Sequence, residues 1–318
     1  MERRRGRTAA LICMLCLALL LAACQPAAPA NTAAADHLPK VLAVESFLAD
    51  MAQNVAGDRL QVETLMPLGL DPHAYEPTPQ HVARVADADV LIVNGAGFEG
   101  WLDEVLANAG GERLVIEASA GLTARTPGAD EAAAHAGETG DHAVDPHFWL
   151  DPTKAVHYVE NIRDGLSSAD PDGQATYAAN AAAYITKLKE LDAVIQEEIA
   201  QIPEERRLLV TNHESLGYYA DRYGLRIVGA VSPSSSSSAS PSAQQLAQLT
   251  DLLRSSGAPA IFLETGANTQ LADQLHAETG ITVAPPLYTH SITAADGDAP
   301  TYLDMMRYNT QVIVNALK

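Results

Sequence analysis

The sequence predicts an α/β protein with two parallel-sheet βα lobes joined by one long rigid helix. Short apolar, β-branched runs alternate with helical patterns in both halves of the chain, which is typical of βαβ units and parallel sheets. Between the halves, residues 171–202 are rich in Ala, Leu, Lys and Glu with helical apolar spacing. We therefore predict a first lobe at 39–170, a linking helix at 171–205 and a second lobe at 206–318.

The individual elements follow from the same patterns. In the first half, strands are predicted at 41–47, 62–67, 90–94 and 114–117, with helices at 81–88 and 100–108. In the second half, strands are predicted at 208–211, 227–231, 260–264 and 281–284, with helices at 242–255 and 269–279. Segment 126–145 is rich in Ala, Gly, Asp and Glu, and segment 232–242 has five consecutive serines between prolines, so both are predicted to be loops.

The N-terminus predicts export. Four arginines precede an almost unbroken apolar run at 11–21, and small residues follow it. The run is too short to span a bilayer, so residues 1–23 are predicted to be a secretory signal peptide. Residues 21–24 read Leu-Ala-Ala-Cys and resemble the bacterial lipobox, in which Cys24 would be lipidated. Residues 24–38 are then predicted to form a flexible tether.

The charge excludes one class of partner. Residues 1–23 carry four arginines and one glutamate, so the remainder has 16 basic and 39 acidic side chains, a net charge near −23. Nucleic-acid binding needs clustered Lys and Arg, which this composition does not offer. An acidic surface attracts cations at long range, although salt screening limits this attraction, and it also serves solubility. Charge alone does not separate these two roles.

Four of the ten histidines have a setting that suggests metal binding. His73, His213 and His290 each follow a predicted strand, and His147 ends the acidic segment 126–145. Ligand crevices form at the carboxyl ends of parallel strands, so a site between the lobes could collect all four. Imidazole is the commonest metal ligand and suits zinc better than manganese. From the residues alone, a metal site and ordinary solvated histidines remain equally open.

Two of these histidines share a local motif. His73 and His147 each lie in an Asp-Pro-His tripeptide. Proline limits the freedom of the backbone beside the ligand. Asp71 and Asp145 are candidates to accept the second ring N–H, as carboxylates behind ligating histidines often do. His37, His81, His157 and His276 have no such setting and are predicted to be surface or packing residues.

Five motifs carry a more specific resemblance. They are DPHAYEPTP at 71–79, ADVLIVNG at 88–95, DPHFWLDP at 145–152, GYYADRYGL at 217–225 and YLDMMRYN at 302–309. With them, the chain from about Val41 onwards resembles the zinc/manganese substrate-binding lipoproteins of bacterial ABC importers, a group that includes zinc-uptake and adhesin-type binding proteins. The resemblance implies two α/β lobes with a bridging helix and a divalent metal ion, Zn²⁺ or alternatively Mn²⁺, held in the inter-lobe cleft.

The resemblance also implies a ligand set. The first two ligands of the family match His73 and His147. The third is histidine in zinc-type members and often glutamate in manganese-type members; here it is His213. The fourth is commonly aspartate, and His290 at that position is a departure. Either His290, Glu264 or a water completes the shell, and we favour His290 because the neighbouring pattern is intact.

Segment 126–145, with His135 and His142, resembles the acidic, histidine-containing loop of zinc-type members, though it is shorter and has fewer histidines. Weak metal capture or sensing is one interpretation of this segment, and an ordinary solvated loop is the other.

A shell of four protein ligands predicts a binding protein and not an enzyme, because catalytic zinc needs an open coordination position. The alternative is a zinc hydrolase with His73, His147 and His213 as ligands and Glu214 or Glu264 as base. No HExxH or GxSxG motif supports it. Adhesion rests only on names within the resembled family. The expected partners are a membrane permease and the lipid bilayer, and the expected form is an extracytoplasmic, lipid-anchored monomer.

Overall fold

The protein is described by a computed structural model that covers residues 38–126, 144–211, 213–230, 243–266 and 269–318. The predicted signal peptide, Cys24 and nearly all of the tether lie outside the described residues. So do His37, His135, His142 and the serine-rich segment 232–242. Within the described part of the chain, no helix has both the length and the apolar character that crossing a membrane requires.

The first half of the chain forms a four-stranded parallel sheet in the order β2-β1-β3-β4. Its strands are β1 (Val41–Ala43), β2 (Val62–Thr64), β3 (Val90–Val93) and β4 (Leu114–Glu117). The helices are α1 (Ser46–Ala56), α2 (Pro79–Asp87), α3 (Leu102–Ala109) and α4 (Pro152–Ala169). Every residue of the central strands β1 and β3 is buried, as expected for a parallel sheet covered on both faces.

A long helix, α5 (Gln174–Ile199), connects the two halves. It is shorter than the predicted span 171–205 because Pro171–Gly173 forms a separate 3₁₀ turn before it and Glu204–Arg206 forms another after it. Its 26 residues extend over about 39 Å. It packs against α1 and α4 on one side of the chain and against later helices on the other. Its buried stripe consists of Tyr177, Ala181, Tyr184, Leu188, Leu191, Ile195 and Ile199.

The second half contains two pairs of parallel strands, β5 (Leu208–Thr211) with β6 (Arg226–Ala230) and β7 (Ala260–Ile261) with β8 (Thr282–Val283). A parallel bridge between Thr211 and Phe262 joins the two pairs. The helices are α6 (Gly217–Tyr223), α7 (Ala243–Ser256), α8 (Thr269–Thr279) and α9 (Tyr302–Leu317). The predicted α/β class, with parallel sheets and a long helix, is thereby confirmed.

Some boundaries differ from the sequence-based prediction. Strand β1 ends at Ala43 and not at Phe47, because α1 begins at Ser46 and its apolar residues are buried on a helix face. Helices α4 and α9 were not assigned from the sequence. Both begin with an oxygen cap: Asp151 accepts from the backbone of Thr153, and Thr301 accepts from that of Asp304.

Candidate metal centre

The four histidines predicted from the sequence are brought together at the carboxyl ends of strands. His73 lies in a 3₁₀ turn after β2, where the Asp71 side chain accepts a 2.9 Å hydrogen bond from the His73 backbone. His147 immediately precedes the 3₁₀ turn Phe148–Leu150. His213 follows β5 by two residues, and His290 comes after β8. Each half of the chain therefore contributes two imidazoles.

The imidazoles are close enough to share one ion. One ring nitrogen from each histidine can be chosen so that all four lie within 4.8 Å of one another. The Nε2 atoms of His73 and His147 are 3.2 Å apart, and the ring centroids of His213 and His290 are 5.0 Å apart. A tetrahedral ion with ordinary zinc–nitrogen bonds would separate its ligands by about 3.3 Å. Small side-chain adjustments would suffice to reach that geometry.

The site is shielded from water. His147, His213 and His290 are buried, and His73 is partly exposed. Phe98 packs edge-on against His73 with a centroid distance of 4.8 Å, and Trp149 packs against His147 at 5.3 Å. These apolar walls weaken competition from water for any bound ion.

Burial also keeps most of the imidazoles uncharged. It lowers the pKa of His73 to about 4, with the neighbouring His213 acting in the same direction. Burial likewise holds the pKa values of His147 and His290 well below the ordinary value. At neutral pH these rings are therefore neutral, and neutral imidazole is the form that binds metal ions.

A carboxylate lies behind His147. Asp145 Oδ1 is 2.9 Å from His147 Nδ1 and also accepts a 3.0 Å hydrogen bond from the His147 backbone. Burial raises the pKa of Asp145 to about 7, against the hydrogen bond from His147. With Nδ1 held in this way, Nε2 is the nitrogen directed at the other histidines.

Glu264 serves the other two buried histidines. Its Oε1 is 3.0 Å from His213 Nδ1 and its Oε2 is 3.4 Å from His290 Nδ1. Ser215 and Thr289 donate their hydroxyls to the same carboxylate. Burial would raise the pKa of Glu264, but His213 and these hydrogen bonds outweigh it and lower the pKa to about 2. The pKa of His213 is raised because the charge of Glu264 outweighs the effect of burial.

These contacts give Glu264 an orienting position. Both of its oxygens face ring Nδ1 atoms and hydroxyl groups, so the alternative in which it completes the metal shell is not favoured by the geometry. His290 Nε2, in contrast, is buried without a hydrogen-bond partner among the described residues. A buried ring nitrogen left unsatisfied is unusual unless an ion or a water binds there.

The other described histidines make contacts outside the site. His81 Nδ1 accepts from the Thr78 backbone at the start of α2. His157 Nε2 is 2.8 Å from the Ala120 carbonyl, and His276 Nδ1 is 2.7 Å from the Ile281 carbonyl. Their predicted role as surface or packing residues agrees with these contacts.

Sequence reasoning missed several residues around the site. Phe98 comes shortly after β3, whose carboxyl end lies at the same sheet edge as the end of β2 before His73. Its position after a parallel strand could therefore have predicted that it lines the site. Ser215 and Thr289 each flank a predicted histidine, but nothing in the sequence showed that both reach Glu264. Arg125 was also missed; its side chain lies 3.8 Å from Asp145 Oδ2.

Fold and site together define a binding protein in which two parallel sheets present a buried cluster of metal-type ligands. The family model described as zinc-uptake complex component A, periplasmic, matches residues 41–316. The chain therefore belongs to this family of metal-binding substrate-binding proteins of ABC importers.

Relatives within the family carry names for different metals. The manganese-binding lipoprotein MntA of Halalkalibacterium halodurans is 35% identical over 278 residues, which are 87% of this chain and 88% of that protein. The iron-binding protein YfeA of Yersinia pestis is 32% identical over 275 residues, 86% and 85% of the two chains. The solved Mn-bound periplasmic metal-binding protein of Candidatus Liberibacter asiaticus has a TM-score of 0.76 and 29% identity. That comparison covers 88% of this chain and 100% of the other.

Family membership also decides between the two function classes. The relatives and structural neighbours are substrate-binding transport proteins and not enzymes, which confirms the non-enzymatic prediction and sets the hydrolase alternative aside. It leaves the metal open, since the family model is described for zinc while the relatives are named for manganese and iron.

Proposed function

We propose that the protein captures Zn²⁺ outside the cytoplasm and delivers it to the membrane permease of an ABC importer. His73, His147, His213 and His290 are the proposed ligands. One observation carries the proposal: four imidazoles converge in a largely buried pocket. In three of them a carboxylate oxygen contacts Nδ1, which leaves Nε2 to face the other rings. Zinc is the substrate carried by the protein and has no catalytic role here.

The donor set supports zinc over manganese. Four imidazole nitrogens form a neutral shell, which suits a borderline cation, whereas manganese prefers carboxylate, carbonyl and water oxygens. The carboxylate oxygens of Asp145 and Glu264 contact the Nδ1 atoms of the rings instead. They supply negative charge behind the ligands, which favours a cation in the pocket without adding oxygen ligands. Mn²⁺ is the second candidate because MntA and the Liberibacter protein are named for it.

Further parts of the proposal rest on the sequence. The chain is anchored through a lipid on Cys24, after removal of residues 1–23, and a tether at 24–38 leads to the binding unit. That unit comprises a first lobe at 39–170, the linking segment 171–205 and a second lobe at 206–318, and the protein acts as a monomer. Replacing Cys24 by Ser is expected to release the protein from the membrane fraction; continued membrane retention would contradict the anchor.

Equilibrium metal competition tests the metal. The purified protein is stripped of metal and offered Zn²⁺ and Mn²⁺ together, and the bound metal is measured by mass spectrometry. We expect zinc to be retained at equal concentrations. The general affinity order of divalent ions also favours zinc in vitro, so retention of manganese would be the more informative result. Manganese outcompeting zinc would overturn the zinc assignment.

A matched pair of variants tests the ligands. His147→Ala is expected to abolish tight zinc binding. His157→Ala is its control, because His157 contacts a backbone carbonyl away from the cluster. Equal zinc affinity in the two variants would contradict the proposed ligand set.

A further inference from the structure

A buried arginine connects the candidate metal centre with the second half of the chain. Arg125 lies after β4, and only 8% of its side chain is exposed. Its Nε and Nη2 atoms donate to both carboxylate oxygens of Asp221 on α6, at 2.9 and 3.2 Å. Its Nη1 atom lies 3.8 Å from Oδ2 of Asp145, the residue that holds the His147 ring. The guanidinium thus lies between a carboxylate of each half.

The surroundings of Arg125 are built to hold the guanidinium in place. A Cβ added to Gly217 would lie 2.6 Å from Arg125 Nη1 and 2.7 Å from its Cζ, so no larger residue fits there without displacing the side chain. The Arg125 backbone donates a 3.2 Å hydrogen bond to the Tyr218 hydroxyl, which in turn donates to the Asp145 carbonyl at 2.8 Å. Three positions of α6, 217, 218 and 221, therefore contact Arg125 or Asp145 of the first half.

We infer that Arg125 is a positioning residue for metal retention, acting through Asp145 on His147. The inference rests on the proposed metal site. The bidentate pair with Asp221 fixes the guanidinium, and the fixed positive charge restrains Oδ2 of Asp145. Its other oxygen, Oδ1, thereby stays directed at His147 Nδ1. The same pair joins the two halves that contribute the ligands, so loss of it frees both the ring and the lobe contact, and the main effect falls on metal release.

The affected quantity is the rate at which the ion leaves. Residues behind metal ligands typically change metal affinity by about 10–100-fold when they are replaced. Because Arg125 acts through one intervening carboxylate, we expect the lower end of that range, about tenfold faster Zn²⁺ dissociation in Arg125→Gln. Arg125→Lys should recover part of the loss, since an ammonium keeps the charge but cannot engage both carboxylates in the same planar arrangement.

The chain offers a matched control on α6, the helix that carries Asp221. Arg222 forms a bidentate pair with Asp192 of α5, with Nε–Oδ1 and Nη2–Oδ2 distances of 2.9 and 2.6 Å. This pair also joins two elements, but it does not involve Asp145. Arg222→Gln therefore removes a comparable ion pair and leaves the restraint on His147 in place.

The experiment measures Zn²⁺ dissociation into excess chelator by stopped flow, together with the visible spectrum of the Co²⁺-loaded protein. We expect faster dissociation and altered Co²⁺ bands in Arg125→Gln and Asp221→Asn, and wild-type behaviour in Arg222→Gln. Gly217→Ala should act in the same direction, because it displaces the guanidinium without changing charge. Equal rates in Arg125→Gln and wild type, or equal acceleration in Arg222→Gln, would overturn the inference.

If Arg125→Gln does not fold, Asp221→Asn decides alone, since Asp221 is more than half exposed and its removal leaves Asp145 intact. If the wild-type protein fails to bind Zn²⁺ and Co²⁺, the proposed function fails as well. Wild-type binding with an unaffected Arg125→Gln variant removes only the role of Arg125.

Discussion

Glu264 Oε1 lies 3.0 Å from His213 Nδ1, and both side chains are almost fully buried. The same carboxylate reaches His290 through its other oxygen, so one acidic group orients two of the four imidazoles. A carboxylate in this position fixes the ring tautomer and makes the opposite nitrogen a stronger ligand.

Replacing Glu264 by Gln is therefore expected to weaken zinc binding by about 10–100-fold. The amide places a donor where a second acceptor is needed, so one of the two rings loses its orientation. Isothermal titration with a competing chelator measures the change. Glu190→Gln, at an exposed position of α5, is the control. Unchanged affinity in Glu264→Gln would show that the carboxylate does not orient the ligands.

His290 offers a test of metal choice. In His290→Asp an oxygen ligand replaces an imidazole and adds a negative charge to a neutral shell, which favours harder cations. We expect the ratio of manganese to zinc affinity to rise relative to the unsubstituted protein. His290→Asn has the same size without the charge and should raise the ratio less. Identical ratios for the two variants would contradict the electrostatic explanation.

The candidate site was the part of the molecule most open to prediction from the sequence. All four histidines come together. Three of them follow strands, and parallel strands bring their carboxyl ends to one edge of a sheet. The Asp-Pro-His motif also predicted the Asp145–His147 contact. At the other copy of the motif, Asp71 accepts a hydrogen bond from the backbone of His73.

The features that the sequence did not predict depend mainly on contacts between distant parts of the chain. Arg125 and Asp221 are 96 positions apart, and no local pattern marks them as a pair. Ser215 and Glu264 are 49 positions apart, so the orienting role of Glu264 was not visible. Helix α4 went unassigned even though its buried residues recur at helical spacing, because its Asp-Pro start coincides with the end of the DPHFWLDP motif.

A second group of buried carboxyls, Glu45 and Glu99, predicts a pH effect on stability. Glu45 and Glu99 are 1% and 6% exposed, and burial raises the pKa of Glu99 to about 7. A carboxyl whose pKa is raised by folding stabilises the protein at low pH and loses that contribution as pH rises towards the folded-state value. The raised pKa of Glu99 corresponds to roughly 3 kcal/mol of stability lost between pH 4.5 and 7.

Glu99→Gln should remove this pH dependence. We expect its unfolding free energy, relative to the unsubstituted protein, to improve from pH 5 to about pH 7 and to level off above that. Urea denaturation of the metal-free protein at several pH values measures it. Taking the difference between variant and parent cancels the opposite contribution of the histidines, whose lowered pKa values favour the fold as pH rises. A flat difference, as expected for the exposed Glu190→Gln, would refute the assignment.

The long helix predicts how the protein responds to its substrate. Helix α5 contacts α1 and α4 in the first half and α6 and α9 in the second, so its buried stripe is shared by both. A helix held along its length resists hinge bending, because bending would break packed contacts on one side. We therefore expect only a small change in the radius of gyration, measured by solution scattering, when zinc is added.

A double substitution makes this expectation sharper. Ala182 and Ala183 lie on the exposed face of α5, so replacing both by Gly leaves the packed stripe intact while weakening the helix by about 1 kcal/mol per site. The Gly variant should show a larger zinc-dependent change in scattering than the parent, with Ala182→Ser as a milder control. A large closure in the unsubstituted protein would contradict the rigid connection, because it requires the two halves to move about α5 as a hinge.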